Sequence, residues 1–108
     1  MSLFRFLNRN DIDSGIKDYL QEREAVLLDV RAPREFRAGY IPGAINVPLQ
    51  DIESIEDTIE NKQMPVYLYC LSGGRSHQAA MTLREMGYTH VRNLGGISAY
   101  TGDLEAIS

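Results

Sequence analysis

Tryptophan is absent from this 108-residue chain, and cysteine occurs once, as Cys70. A single cysteine excludes an internal disulfide, so the thiol is buried, reactive or joined to another molecule. Positive charge is also scarce, with 11 Lys and Arg against 15 Asp and Glu and a formal net charge of -4. That balance argues against nucleic acid as a partner, because counterion release from phosphates needs a basic surface. No apolar run approaches membrane-span length, and the opening MSLFRFLNRN is interrupted by Arg5 before it could act as a secretory signal. A cytoplasmic location without membrane association is therefore expected. Repeats and low-complexity tracts are missing too. With 44% hydrophobic and 24% charged residues, the chain has the composition of one globular domain, expected to span residues 1–108.

Strand and helix signals alternate along the chain. Phe4 to Leu7 suits a short strand, and Asp11 suits the N-cap of a helix that places Ile12, Ile16, Tyr19 and Leu20 on one face. Ala25 to Val30 is too short for a helix and matches a fully buried strand. Pro33 fits the first turn of a short helix, with Gly39 expected to end it in a left-handed conformation. An extended segment between Pro42 and Pro48 follows. Ile52, Ile55 and Ile59 mark an amphipathic helix within the acidic stretch Gln50 to Glu60, whose other face is expected to be solvated. Pro65 to Cys70 is a second buried strand, and Ser76 to Met86 a helix stopped by Gly87. His90 to Leu94 forms the last strand. This order predicts an α/β fold, a mainly parallel sheet with helices on both faces, and in such sheets ligands bind beyond the carboxyl ends of the strands.

Cys70 stands at one of those ends, in CLSGGRS. A strand that stops at Cys70 and resumes as a helix near Ser76 leaves backbone N–H groups converging on the loop mouth. Gly73 and Gly74 let the backbone curl around a bound atom, and the helix N-terminus adds partial positive charge. Arg75 supplies a cation that favours the thiolate and a planar fork for an oxyanion, while Ser76 caps the helix or donates into the loop. Cys70 is thus expected to be the nucleophile, with Leu71, Ser72, Gly73, Gly74, Arg75 and Ser76 forming the substrate cradle. His77 and His90 lack metal-ligand spacing around Cys70, so neither a metal nor a cofactor is expected.

The Cys-x-x-Gly-x-Arg-Ser pattern of Cys70, Gly73, Arg75 and Ser76 resembles the active loop of the rhodanese sulfurtransferases. LLDVRAPREFRAGYIPGAINVP, residues 27–48, is similar to a second motif of that family, and GGISAY, residues 95–100, to a third. Tyr40 stands where the family usually has His, and Tyr100 where it commonly has Trp. The resemblance implies a rhodanese-like fold and a cysteine cycling between thiolate and persulfide. The donor would be thiosulfate or a persulfide, and the acceptor cyanide or a thiol such as glutathione or a thioredoxin-like protein. It also implies that Asp29 and Arg31 brace the fold, and Glu35 is placed with them in that role. Leu71 and Ser72 are neutral, which predicts a weak preference for dianionic thiosulfate.

Two other readings compete. Cysteine-dependent phosphatases also hold an anion beside Cys and Arg, but their loop is one residue longer than Leu71–Gly74 and leaves room for a phosphate. A non-catalytic binding module would need Cys70 to be an unreactive, packed thiol.

Overall fold

The computed structural model describes residues 11–107, and the strand expected at Phe4 to Leu7 lies outside them. Helix α1, Ile12–Gln21, starts where Asp11 accepts a hydrogen bond from the Asp13 N–H at 3.2 Å. It buries Ile12 and Ile16. Gly15 faces the sheet so closely that a Cβ there would lie 2.4 Å from Leu94 Cδ2. Helix α2, Pro33–Ala38, has Pro33 in its first turn, and the Glu35 carboxylate turns back to accept from the Ala32 N–H at 2.9 Å.

Among the described residues, four parallel strands form the sheet: β1 Val26–Asp29, β2 Ile45–Asn46, β3 Val66–Cys70 and β4 Val91–Gly96, in the order β2-β1-β3-β4. Because successive side chains point to opposite faces, β1 and β3 each feed two cores. Leu28, Val30, Val66, Leu68 and Cys70 pack with Ile52, Ile55, Ala79, Ala80, Leu83 and Tyr88. Leu27, Tyr67 and Tyr69 pack on the other face with Ile12, Ile16, Ile41, Leu94 and Ile97. Leu28 and Leu68 have no exposed surface, and each contributes roughly 2 kcal/mol by burial. The sheet with helices on both faces is thus the α/β architecture expected from the alternating pattern.

Several local expectations change. Ile52 and Ile55 belong to a 3-10 helix over Leu49–Asp57, whose three residues per turn bring them onto one buried face, while Ile59 is buried just beyond the end of that helix. Gly39 has φ 172, extended rather than left-handed, because the chain leaves α2 straight into a bridge between Tyr40 and Glu105. Helix α3 covers Gly74–Glu85 and begins two residues before Ser76. Gly87, at φ 103, does end it in the left-handed region. Strand β4 runs on through Gly95 and Gly96, beyond Leu94. Among the described residues no helix is long and apolar enough to cross a membrane.

Candidate active site

From β1 the chain moves outward to β2, then returns past β1 to form β3, so the order reverses between β1 and β3. Crevices outside such a reversal are the usual ligand sites of open parallel sheets. The carboxyl ends of these two strands carry Asp29 and Cys70. The short loop after β3 turns back over β4 and runs into α3. Gly73 makes that turn at φ 111, where a Cβ would be strained.

The loop closes around sulfur. Cys70 is 1% exposed, and its Sγ accepts from the Gly73 N–H at 2.9 Å and from the Ser76 hydroxyl at 3.4 Å. Burial alone would raise the thiol pKa. The Ser76 hydroxyl and the N–H groups of Ser76, Gly73 and Ser72 outweigh it, so the net shift is downward, towards thiolate. Ser76 therefore donates into the loop and is not the helix cap; the N-cap position belongs to Gly73.

Asn93, a residue without an obvious signal in the sequence, orders this arrangement. Its Oδ1 accepts from the Gly95 N–H at 2.9 Å and lies 2.7 Å from the Ser76 hydroxyl, so it shares with Cys70 Sγ the single proton that hydroxyl can donate. The position of Asn93 follows from a register shift in the β3–β4 pairing, where Leu68 faces Asn93 but Tyr69 faces Gly95. The Ser98 N–H also holds the loop, donating to the Leu71 carbonyl at 3.2 Å.

Arg75, expected from the sequence to hold an oxyanion, has both terminal nitrogens on Glu35, Nη1 to Oε1 at 2.8 Å and Nη2 to Oε2 at 3.0 Å. Glu35 thus pairs across the β1–β3 crevice instead of bracing Asp29 and Arg31. The hydrogen bonds from Arg75 pull the Glu35 pKa from its ordinary 4.5 to about 2, and the Ala32 N–H adds to the effect. A depressed carboxylate pKa contributes stability that is complete above about 4.5 and is lost as pH falls towards 2. Partial exposure of both side chains, 38% and 28%, keeps that contribution small.

Asp29 and Arg31 do brace the site. They form a buried pair with Nη2 to Oδ2 at 2.7 Å and Nε to Oδ1 at 3.0 Å. Arg31 Nη2 also donates to the Gly39 carbonyl at 2.6 Å, tying α2 to the end of β1. Tyr69, the residue before Cys70, accepts from the Ile41 N–H through its hydroxyl at 3.1 Å. Tyr40 stacks on Phe36 with ring centroids 4.2 Å apart, and Tyr100 packs against the core that contains Ile97. His77 and His90 are both exposed.

Ser76→Ala removes a donor to Cys70 that stabilises the thiolate. Its iodoacetamide reaction profile is expected to move to higher pH, with the rate at pH 7 falling at least about threefold. An unchanged profile would show that the backbone N–H groups alone set the thiol's reactivity.

The comparisons agree with this geometry. The rhodanese-like domain family model matches residues 14–103. The chain is 44% identical over 71 residues to the thiosulfate sulfurtransferase PspE of Escherichia coli strain K12, a match covering 65% of this chain and 68% of that protein. Identity to a sulfurtransferase of Allochromatium vinosum is 43% over 94 residues, covering 84% and 87%. Among solved structures, a rhodanese with anions from E. coli superposes with a TM-score of 0.71 at 37% identity, covering 76% of this chain and 98% of that one. The parallel sheet, the loop closed around one cysteine and these likenesses together show that the chain belongs to the rhodanese-like domain family.

Proposed function

We propose that the protein is a sulfurtransferase, a single domain over residues 1–108 that carries sulfane sulfur as a persulfide on Cys70. The observation that carries this reading is the convergence of the Gly73 N–H and the Ser76 hydroxyl on Cys70 Sγ. The Cys70 thiolate attacks the sulfane sulfur of thiosulfate or a persulfide. One S–S bond forms as the donor's breaks, and the donor leaves as sulfite or as a thiolate. The persulfide is an anion, and the backbone of Leu71, Ser72, Gly73 and Gly74 encloses it while Ser76 donates to it. Arg75 anchors the start of α3 beside it. Without a second cysteine the chain cannot resolve the persulfide internally, so an external acceptor takes the outer sulfur. Cyanide, glutathione or a thioredoxin-like protein has the required nucleophile. The exchange needs no general base once the thiol is ionised.

Near-complete burial of Cys70 favours a second reading, a binding module with a packed thiol. Intact-mass measurement separates the two. Reduced protein incubated with thiosulfate or glutathione persulfide and then desalted is expected to retain one added sulfur atom, which cyanide or glutathione removes, while Cys70→Ser gains none. Failure of unoxidised Cys70 to gain sulfur from any of these donors would overturn the transferase reading in favour of the module.

A further inference from the structure

Arg75 is the single cation among residues 70–76, and both of its terminal nitrogens bind one carboxylate, Glu35. Glu35 is held from behind as well, since its Oε1 also accepts from the Ala32 N–H. Its helix is tied down where Arg31 bonds the Gly39 carbonyl. The carboxylate is therefore a fixed part of the crevice wall. Its negative charge cancels that of the guanidinium, and the loop next to it offers the neutral residues Leu71 and Ser72, both exposed.

We infer that Glu35 is a positioning residue that sets the charge selectivity of the site, holding Arg75 so that dianionic donors such as thiosulfate lose the advantage a lone guanidinium would give them over persulfides of lower charge. This rests on the sulfur-transfer reading for the identity of the donors, though not for the electrostatics. An anion entering the crevice meets a neutral ion pair, and the field of such a pair falls off faster with distance than that of a single charge. Removing the negative partner leaves Arg75 with its fork and its full charge beside the sulfur.

Alkylation of Cys70 tests the electrostatics without requiring turnover, because iodoacetate is an anion and iodoacetamide is its neutral analogue. The ratio of their rate constants cancels changes in the thiol itself. In Glu35→Gln, whose amide oxygen can still accept from Ala32, the iodoacetate-to-iodoacetamide ratio is expected to rise about fivefold at low salt and to fall back as salt is added. Arg75→Ala in the Glu35→Gln background is expected to abolish the rise. In the unaltered protein the iodoacetate rate should not fall with added salt, a measurement that stands even if the variant folds poorly. Sulfur loading then extends the test to donors: thiosulfate should gain on glutathione persulfide in Glu35→Gln by a similar factor. A ratio within twofold of the parent, a rise that survives loss of Arg75, or an iodoacetate rate in the parent that falls steeply with added salt would each overturn the role of Glu35. If the alkylation ratio shifts but no donor loads sulfur, the transferase reading fails while the charge selectivity stands.

Discussion

Asp29→Asn is expected to destabilise the fold by about 3–5 kcal/mol, the range found when one partner of a buried ion pair is removed. Asp29 has no exposed surface and Arg31 only 5%, so the guanidinium left behind can reach neither water nor another carboxylate without moving the end of β1. Asp29 accepts from the Arg31 main-chain N–H as well as from its side chain. The amide of Asn keeps one acceptor oxygen, loses the charge and turns a donor towards the guanidinium. A small domain has about 5–15 kcal/mol of stability in all, so the variant should be partly unfolded or close to it. Urea unfolding measures the effect as a lower midpoint at unchanged slope. The exposed pair of Arg92 and Asp18 is the reference, and Asp18→Asn should cost about 1 kcal/mol or less. Equal losses in the two variants would contradict the bracing role. Replacing both buried partners with apolar residues should be milder than Asp29→Asn alone, because no charge is then left buried.

That pair was legible in the sequence only through the family resemblance; its geometry is local, since residues two apart on an extended chain lie on the same side. Cys70 and its glycines were legible from the residues themselves, since a strand, a tight loop and a helix occupy consecutive residues. The isoleucines at 52, 55 and 59 gave the buried face correctly but not the helix type, because the spacing of Ile52 and Ile55 suits a 3-10 turn as well as an α-turn and Ile59 lies beyond the helix end. The relation of Glu35 to Arg75 was not legible. The two are 40 residues apart and meet only because α2 follows β1 and α3 follows β3 on either side of the sheet's reversal point. Asn93 escaped for a similar reason, because its contact with Ser76 depends on the register shift between β3 and β4. The tail of GGISAY was legible only as a resemblance. The steric demand behind its second glycine becomes visible once Cys70 and Gly96 are seen to pair across the sheet.

Gly96→Ala is expected to disable sulfur loading while leaving a folded domain. A Cβ at this position would lie 2.3 Å from the Leu71 carbonyl oxygen, 2.6 Å from Ser72 Cα and 2.9 Å from the Leu71 carbonyl carbon. All three are backbone atoms, so no side chain can swing aside to make room. Leu71 and Ser72 must move away from β4, and the Ser98 N–H bond to the Leu71 carbonyl is lost with them. The donors around Cys70 then separate, although their convergence is what offsets the cost of burying its charged form. Displacements of about 1 Å at a reacting centre cost on the order of a hundredfold in rate, and the loading rate should fall by at least that much. The thiol's reaction with iodoacetamide should move to higher pH at the same time, as the Ser72 and Gly73 N–H groups no longer favour thiolate. Gly102 provides the control. Its Cβ would come within 2.3 Å of the Tyr100 hydroxyl, the far end of a side chain that can rotate away, so Gly102→Ala should keep loading within about twofold of the parent. Circular dichroism and a urea melt establish that Gly96→Ala is folded before its chemistry is compared. A folded Gly96→Ala that loads sulfur at the parent rate would show that the loop geometry around Cys70 is not what holds the persulfide.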